Sequence, residues 1–179
     1  MPLSKIPNSM QAALTTAELP AGSVIQLVHT SGSYNKGFTT ETSTTSTGYV
    51  NVTGATINIT PNFSNSKIYI TAGNHTYTTE DSTDVWRGAN IKIVRTVSGT
   101  DTDVLDDETG YGEGVYMTDN TQRWMTYDNR FCIDTPNTTS TVTYRVQVAS
   151  KSGNTLILNR NSYGAGGRLI AMEIKAWVL

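Results

Sequence analysis

The chain has 179 residues, 16% of them charged, with a net charge of −2. That length suits one domain of ordinary size. Thirty threonines, 15 serines, 14 asparagines and 15 glycines make up about two-fifths of it. Thr favours strands and the other three favour turns, so a helical bundle is excluded. No apolar run reaches the roughly 18 residues that span a bilayer as a helix, so no membrane insertion is expected. With 13 basic against 15 acidic residues there is no electrostatic footprint for nucleic acid. A lone Cys132 leaves no intrachain disulfide and no cysteine zinc site.

In chain order, residues 1–22 form an N-terminal arm, punctuated by Pro2, Pro7 and Pro20. Ser9 can cap a turn or two of helix, too short to be stable alone. Ile6, Met10, Leu14 and Leu19 are the candidate anchors by which the arm packs on a neighbouring subunit or a larger assembly. A strand is predicted at 23–31. A Ser/Thr/Gly-rich stretch follows, with Tyr34 and Phe38 as candidates for a short strand. Residues 49–60 alternate but change parity between Val52 and Ile57, and Gly54 lies where a bulge would restore register. After a turn at 61–66, residues 67–79 place Ile68, Ile70 and Ala72 on one face.

The second half repeats the pattern. A strand is predicted at 86–97, then a polar acidic loop at 98–109, then strands at 111–117 and 122–134. Val142, Tyr144, Val146 and Val148 should point inward and Thr143, Arg145 and Gln147 outward. A hairpin turn at 151–154 precedes a short strand. The chain closes with Ile170, Met172, Ile174, Ala176 and Val178 along one face. Eight to ten such strands without a crossover helix imply an all-β fold, an antiparallel β-sandwich of jelly-roll type spanning 23–179.

Several segments, taken together and in order, resemble a family of bacteriophage virion proteins common in marine and cyanobacterial phages. They are Leu19-Pro20-Ala21-Gly22-Ser23-Val24-Ile25-Gln26-Leu27-Val28, Tyr49 to Gly54, Ile57 to Pro61, Ser64 to Ile68, Val142 to Val148 and Leu169 to Ile174. Pro2-Leu3-Ser4-Lys5-Ile6 also looks like the start of phage fibre subunits. The resemblance implies a structural protein of the virion, usually a homotrimer: a tail-fibre or spike module bound to other virion proteins of the tail or capsid. The chain has no long repetitive shaft, which adds weight to the alternative, a capsid decoration protein, without putting it first. A secreted lectin-like carbohydrate-binding module is the third reading.

No catalytic constellation stands out, and neither cofactor nor metal is expected. His29 and His75 lack a marked third ligand. No GxSxG elbow is present. Cys132, inside Arg130-Phe131-Cys132-Ile133, reads as a buried strand residue rather than a nucleophile. Asp101, Asp103, Asp106, Asp107 and Glu108 cluster in the expected acidic loop, whose oxygens suit either calcium or simple solvation, but the spacing lacks the alternating acids, glycine and closing glutamate of an EF-hand. Trp86, Tyr111, Tyr116, Trp124 and Tyr127 are candidates for contact with a host surface glycan or a partner, because rings beside polar groups stack on sugars and anchor interfaces.

Overall fold

The computed structural model describes residues 15–31, 37–78, 85–106, 113–117, 124–151, 153–159 and 166–176, with backbone alone at 78, 85–87, 113–117 and 124. These residues contain no helix and eleven strands. The first four are β1 (Val24–His29), β2 (Thr42–Thr44), β3 (Val50–Ile59) and β4 (Lys67–Thr78). Then come β5 (Val85–Val97), β6 (Thr100–Asp106), β7 (Glu113–Met117) and β8 (Trp124–Asp134). β9 (Val142–Ser150), β10 (Leu156–Leu158) and β11 (Arg168–Ile174) complete the set.

All pairings are antiparallel, in two sheets. β8 occupies one edge of β4 along its length, so β11 and β10 share the other edge end to end, flanked by β1 and β2 respectively. In the second sheet β9 lies between β3 and β5, and β6 and β7 share the far edge of β5. Merging the end-to-end pieces gives eight composite strands. Their orders across the two sheets are first-eighth-third-sixth and second-seventh-fourth-fifth. The pairs first with eighth, second with seventh, third with sixth and fourth with fifth nest inside one another, as when one long hairpin is wrapped into a sandwich. That nesting is the jelly roll.

The core follows from period two. Ile68, Ile70 and Ala72 of β4 and Leu169 and Ala171 of β11 face Ile57, Ile59, Ile91, Ile93, Val142, Tyr144, Val146 and Val148 from the other sheet, all buried. Gly54 adopts φ 80° at the parity change in β3, and the pairing with β9 shifts between Asn51 and Thr56. A Cβ there would stand 2.9 Å from that of Phe38, which plugs the core at this point.

Two buried polar clasps cross between elements. Asp134 at the end of β8 accepts hydrogen bonds from Arg95 Nη1 and the Tyr144 hydroxyl, each at 2.7 Å, tying the sheets together. Burial and the Asp134 contact push the Tyr144 phenol far above its usual range. Glu173 of β11 is fully buried. Its carboxylate accepts from Gln26 Nε2 (2.6 Å), the Asn62 backbone N–H (2.7 Å) and Nδ2 (2.8 Å), and Ser66 Oγ (2.6 Å). Burial alone would raise its pKa, but the hydrogen bonds from Ser66, Asn62 and Gln26 outweigh that and hold it below the ordinary 4.5.

One expectation needs correction. The acidic stretch after Val97 is not a loop: Thr100–Asp106 is edge strand β6, joined to β5 by the turn Ser98-Gly99, with φ of 48° and 82°. Two successive positive φ values match the right-handed twist of a hairpin. The aspartates hid this, being poor strand formers, but they are stabilised by cationic partners across the strands (Arg145 for Asp101, Lys92 for Asp103). On β11 the structure decides which side is which. The face carrying Ile170, Met172 and Ile174 is the outer one, half-buried, while Leu169, Ala171 and Glu173 point into the core. Phe38 makes only a two-residue bridge with Gly167, and Tyr34 lies outside the described residues.

Candidate functional site

The outward residues of the sheet β1-β11-β4-β8 form rows set by the register. One row runs Leu27, Met172, Tyr69, Ile133; the next runs His29, Ile170, Thr71, Phe131. Val24 lies opposite Ile174 at one end, and Tyr127 and Met125 extend the rim strand β8 at the other. The Tyr69 and Phe131 rings stack with centroids 6.4 Å apart. Val24, Leu27, Met125, Tyr127, Phe131 and Ile133 are between 53% and 65% exposed. Lys67 and Arg168 are the only charged side chains on these rows among the described residues. Charge depletion of this kind marks interface cores.

Both edges of this sheet break the usual protection of edge strands by charge or proline. β8 turns its acids inward, Asp128 onto Arg130 (3.1 Å) and Asp134 onto Arg95, and its large apolar side chains outward. Cys132, half-buried, also lies on the inward parity, and burial pushes its thiol up to about 11. It has none of the thiolate character of a nucleophile.

At the loop end of the same face, Tyr127 leans over Gly73, its hydroxyl 2.3 Å from where a glycine-to-alanine Cβ would stand. Beside it is a depression of about 240 Å³ lined by Thr71, Gly73, Tyr127, Asn129, Arg168 and Ile170. Thr71 Oγ1 donates to Asn129 Oδ1 at 2.8 Å.

The candidate aromatics do not form one group. Trp86 and Tyr116 stand opposite each other on β5 and β7 in the second sheet, whereas Trp124 and Tyr127 belong to β8 in the first. Tyr127 is the one with a described side chain; Tyr111 lies outside the described residues. Of the arm anchors, Ile6, Met10 and Leu14 also lie outside them. Leu19 is half-buried, and Lys175 Nζ donates to its carbonyl (2.6 Å) and to that of Ala17, fixing the root of the arm. His29 and His75 do not converge: His29 sits on β1 opposite Ile170, and His75 on β4 opposite Tyr127. Among the described residues no three His, Cys, Asp or Glu side chains gather as metal ligands.

Sequence reasoning missed Leu27, Tyr69, Phe131, Ile133, Ile170 and Met172 as a surface. One signal was available: β11 is apolar at both parities, Leu169 and Ala171 alternating with Ile170 and Met172. A strand apolar on both sides has both faces covered.

No protein-family model matches the chain, and no curated protein is similar to it. Among solved structures, a chain from the structure of infectious bursal disease virus Gt strain matches at 10% identity with a TM-score of 0.36, covering 86% of this chain and 38% of that one. A chain from the Gx strain of the same virus matches at 10% identity and a TM-score of 0.33, covering 86% of this chain and 36% of that one. This chain thus spans little more than a third of either. Likeness at this level says nothing about activity.

Proposed function

We propose that the protein is a non-enzymatic structural protein of a virus particle, a homotrimeric jelly-roll projection held to the particle by residues 1–22. The observation that carries the assembly role is the charge-poor, largely apolar outer face of the β1-β11-β4-β8 sheet, with six large apolar side chains more than half exposed. The virion setting comes from the sequence resemblance to phage structural proteins, and the anchored arm root at Lys175 suits a segment that leaves the sandwich to reach a neighbour. Fibre or spike attachment ranks slightly ahead of capsid decoration. Among the described acids of the 101–108 cluster, Asp101 bonds Arg145 and Thr96, Asp103 pairs with Lys92 and Asp106 accepts from the Tyr49 hydroxyl, which suits a structural role for them.

Solution mass tests the assembly: three chains are expected, and a single-chain mass at micromolar concentration would remove the reading. Labelled copies on the particle separate the two locations, clustering at the tail for a fibre and covering the shell for a decoration protein. A host-glycan contact is a second reading, favoured by the Tyr127 depression with its Asn129 and Arg168 neighbours. Specific glycan binding lost in Tyr127→Ala would support it.

A further inference from the structure

The root of the arm and the buried carboxylate of β11 meet at one end of the sandwich, where β1 starts and β11 finishes. There the Gly22 N–H donates to the Lys175 carbonyl (2.8 Å), and Lys175 Nζ donates to the carbonyls of Ala17 and Leu19. The same ammonium lies 5.5 Å from the centroid of the Phe63 ring. Phe63 belongs to the turn 61–66, and that turn is fastened by Glu173, two residues before Lys175. We propose that Glu173 is an acid-operated latch on the arm root: proton uptake frees the 61–66 turn and loosens residues 15–22 while the sandwich stays folded. The use of the latch in a particle rests on the reading of residues 1–22 as the attachment; the latch itself does not.

The hydrogen bonds leave no room for a proton. Oε1 accepts from the Asn62 N–H (2.7 Å) and Ser66 Oγ (2.6 Å), and Oε2 from Gln26 Nε2 (2.6 Å) and Asn62 Nδ2 (2.8 Å). All four donors are neutral, and two fill the lone pairs of each oxygen. A proton on either oxygen points a donor at a donor, so one of them must leave. Three of the four sit on the 61–66 turn, and the turn is what comes loose. The groups packed on the carboxylate do not titrate. They are Gln26 from β1, Ile68 from β4 and, past the end of β3, Thr60, whose carbonyl accepts from Gln26 Nε2. Asp134, next beyond Ile68 in the same row, has its own cation in Arg95. Lys67 stands exposed opposite Ile174, and Lys175 is committed to the arm. Because the folded pKa of Glu173 lies below the ordinary 4.5, the latch is shut at neutral pH and opens as pH falls through the folded value.

Residue-resolved hydrogen exchange on the full-length protein, normalised to the intrinsic rate at each pH, reads the latch. From about pH 6 to about pH 3, protection at Gly22, Ser23, Asn62 and Ser66 should fall about 10- to 100-fold while β9 stays protected. Glu173→Gln is neutral at every pH, so it should show the lowered protection already at pH 6 and no further step on acidification. Lys175→Met cuts the link from the other side: the arm root should lose protection at every pH, while Asn62 and Ser66 keep their acid step. Protection at Gly22 and Ser23 that holds until β9 opens with them overturns the latch, as does an unchanged arm root in either variant. Should Glu173→Gln fail to fold, the native pH series and Lys175→Met decide. Particle binding that survives deletion of residues 1–22 would remove the attachment reading and leave the latch standing.

Discussion

The two outer faces of this sandwich are built from the same strand geometry and put it to opposite uses. On the β3-β9-β5-β6 side many outward polar groups have partners on other strands. Thr143 bonds Asn58 at 2.7 Å, Gln147 bonds Asn51 at 2.9 Å, Lys92 pairs with Asp103 at 2.9 Å, and Arg145 bridges Thr96 and Asp101. Lys92 also lies 4.5 Å from the centroid of the Tyr49 ring. On the β1-β11-β4-β8 side the matching rows are Leu27, Met172, Tyr69, Ile133 and their neighbours. A face of paired polar groups satisfies itself and is complete in water, whereas apolar rows gain only by meeting another surface. The proposed assembly surface rests on this difference.

The sharpest way to break this contrast is to charge the apolar side. Phe131→Glu with Ile133→Glu should shift the trimer to single chains, weakening association at least 100-fold by sedimentation. Both residues point away from the core, so the thermal midpoint of the isolated subunit should move only a few degrees. A trimer that survives both glutamates would place the interface elsewhere.

Next in size is Glu173→Gln, which tests the interior behind that face. Gln can accept only part of what the carboxylate accepts from Gln26, Asn62 and Ser66, so urea unfolding should show a loss of about 2–4 kcal/mol. The pH dependence has a definite sign. Because the folded pKa lies below the ordinary 4.5, this stabilisation is fully present above pH 4.5 and fades as pH falls through the folded value. The native chain should therefore lose stability below pH 4.5 more steeply than Glu173→Gln, and equal slopes would reject the clasp as the acid-sensitive element.

Gly54→Ala should cost about 1–3 kcal/mol. It forces a side chain into φ 80° and against Phe38 Cβ. An unchanged midpoint would show that the bulge relaxes freely. The smallest effect belongs to the polar face: Arg145→Ala removes an exposed network and should cost under about 1 kcal/mol, with the trimer mass unchanged. Dissociation in Arg145→Ala would invert the comparison between the faces.

Much of the fold was legible in the residues. The alternation of Val142 to Val148, the register change at Gly54 and the turn at 151–154 each follow from local rules of parity and turn chemistry. β6 was not legible, because three aspartates among seven residues argue against a strand unless their partners are in view. Those partners, Arg145 and Lys92, are remote in sequence or on the preceding strand. The outer face was half legible. The Ile170, Met172, Ile174 stripe follows from the sequence, and reading Cys132 as buried sets the parity of β8, but nothing local shows that Phe131 and Ile133 stay exposed on its outer side. Asp134 and Asp128 take the inner positions because Arg95, Tyr144 and Arg130 receive them there.

By itself, then, the order of residues determined an all-β chain: composition and period two leave few other ways to hide so many short apolar runs among threonines and turns. Which side of a strand faces inward was decided only when the two sheets came together. A buried carboxylate such as Glu173 or Asp134 becomes tolerable once donors from distant segments surround it, and its apolar neighbours are then left outside. That choice, made by long-range hydrogen bonds rather than by local pattern, is what left large apolar side chains on the outer face of one sheet.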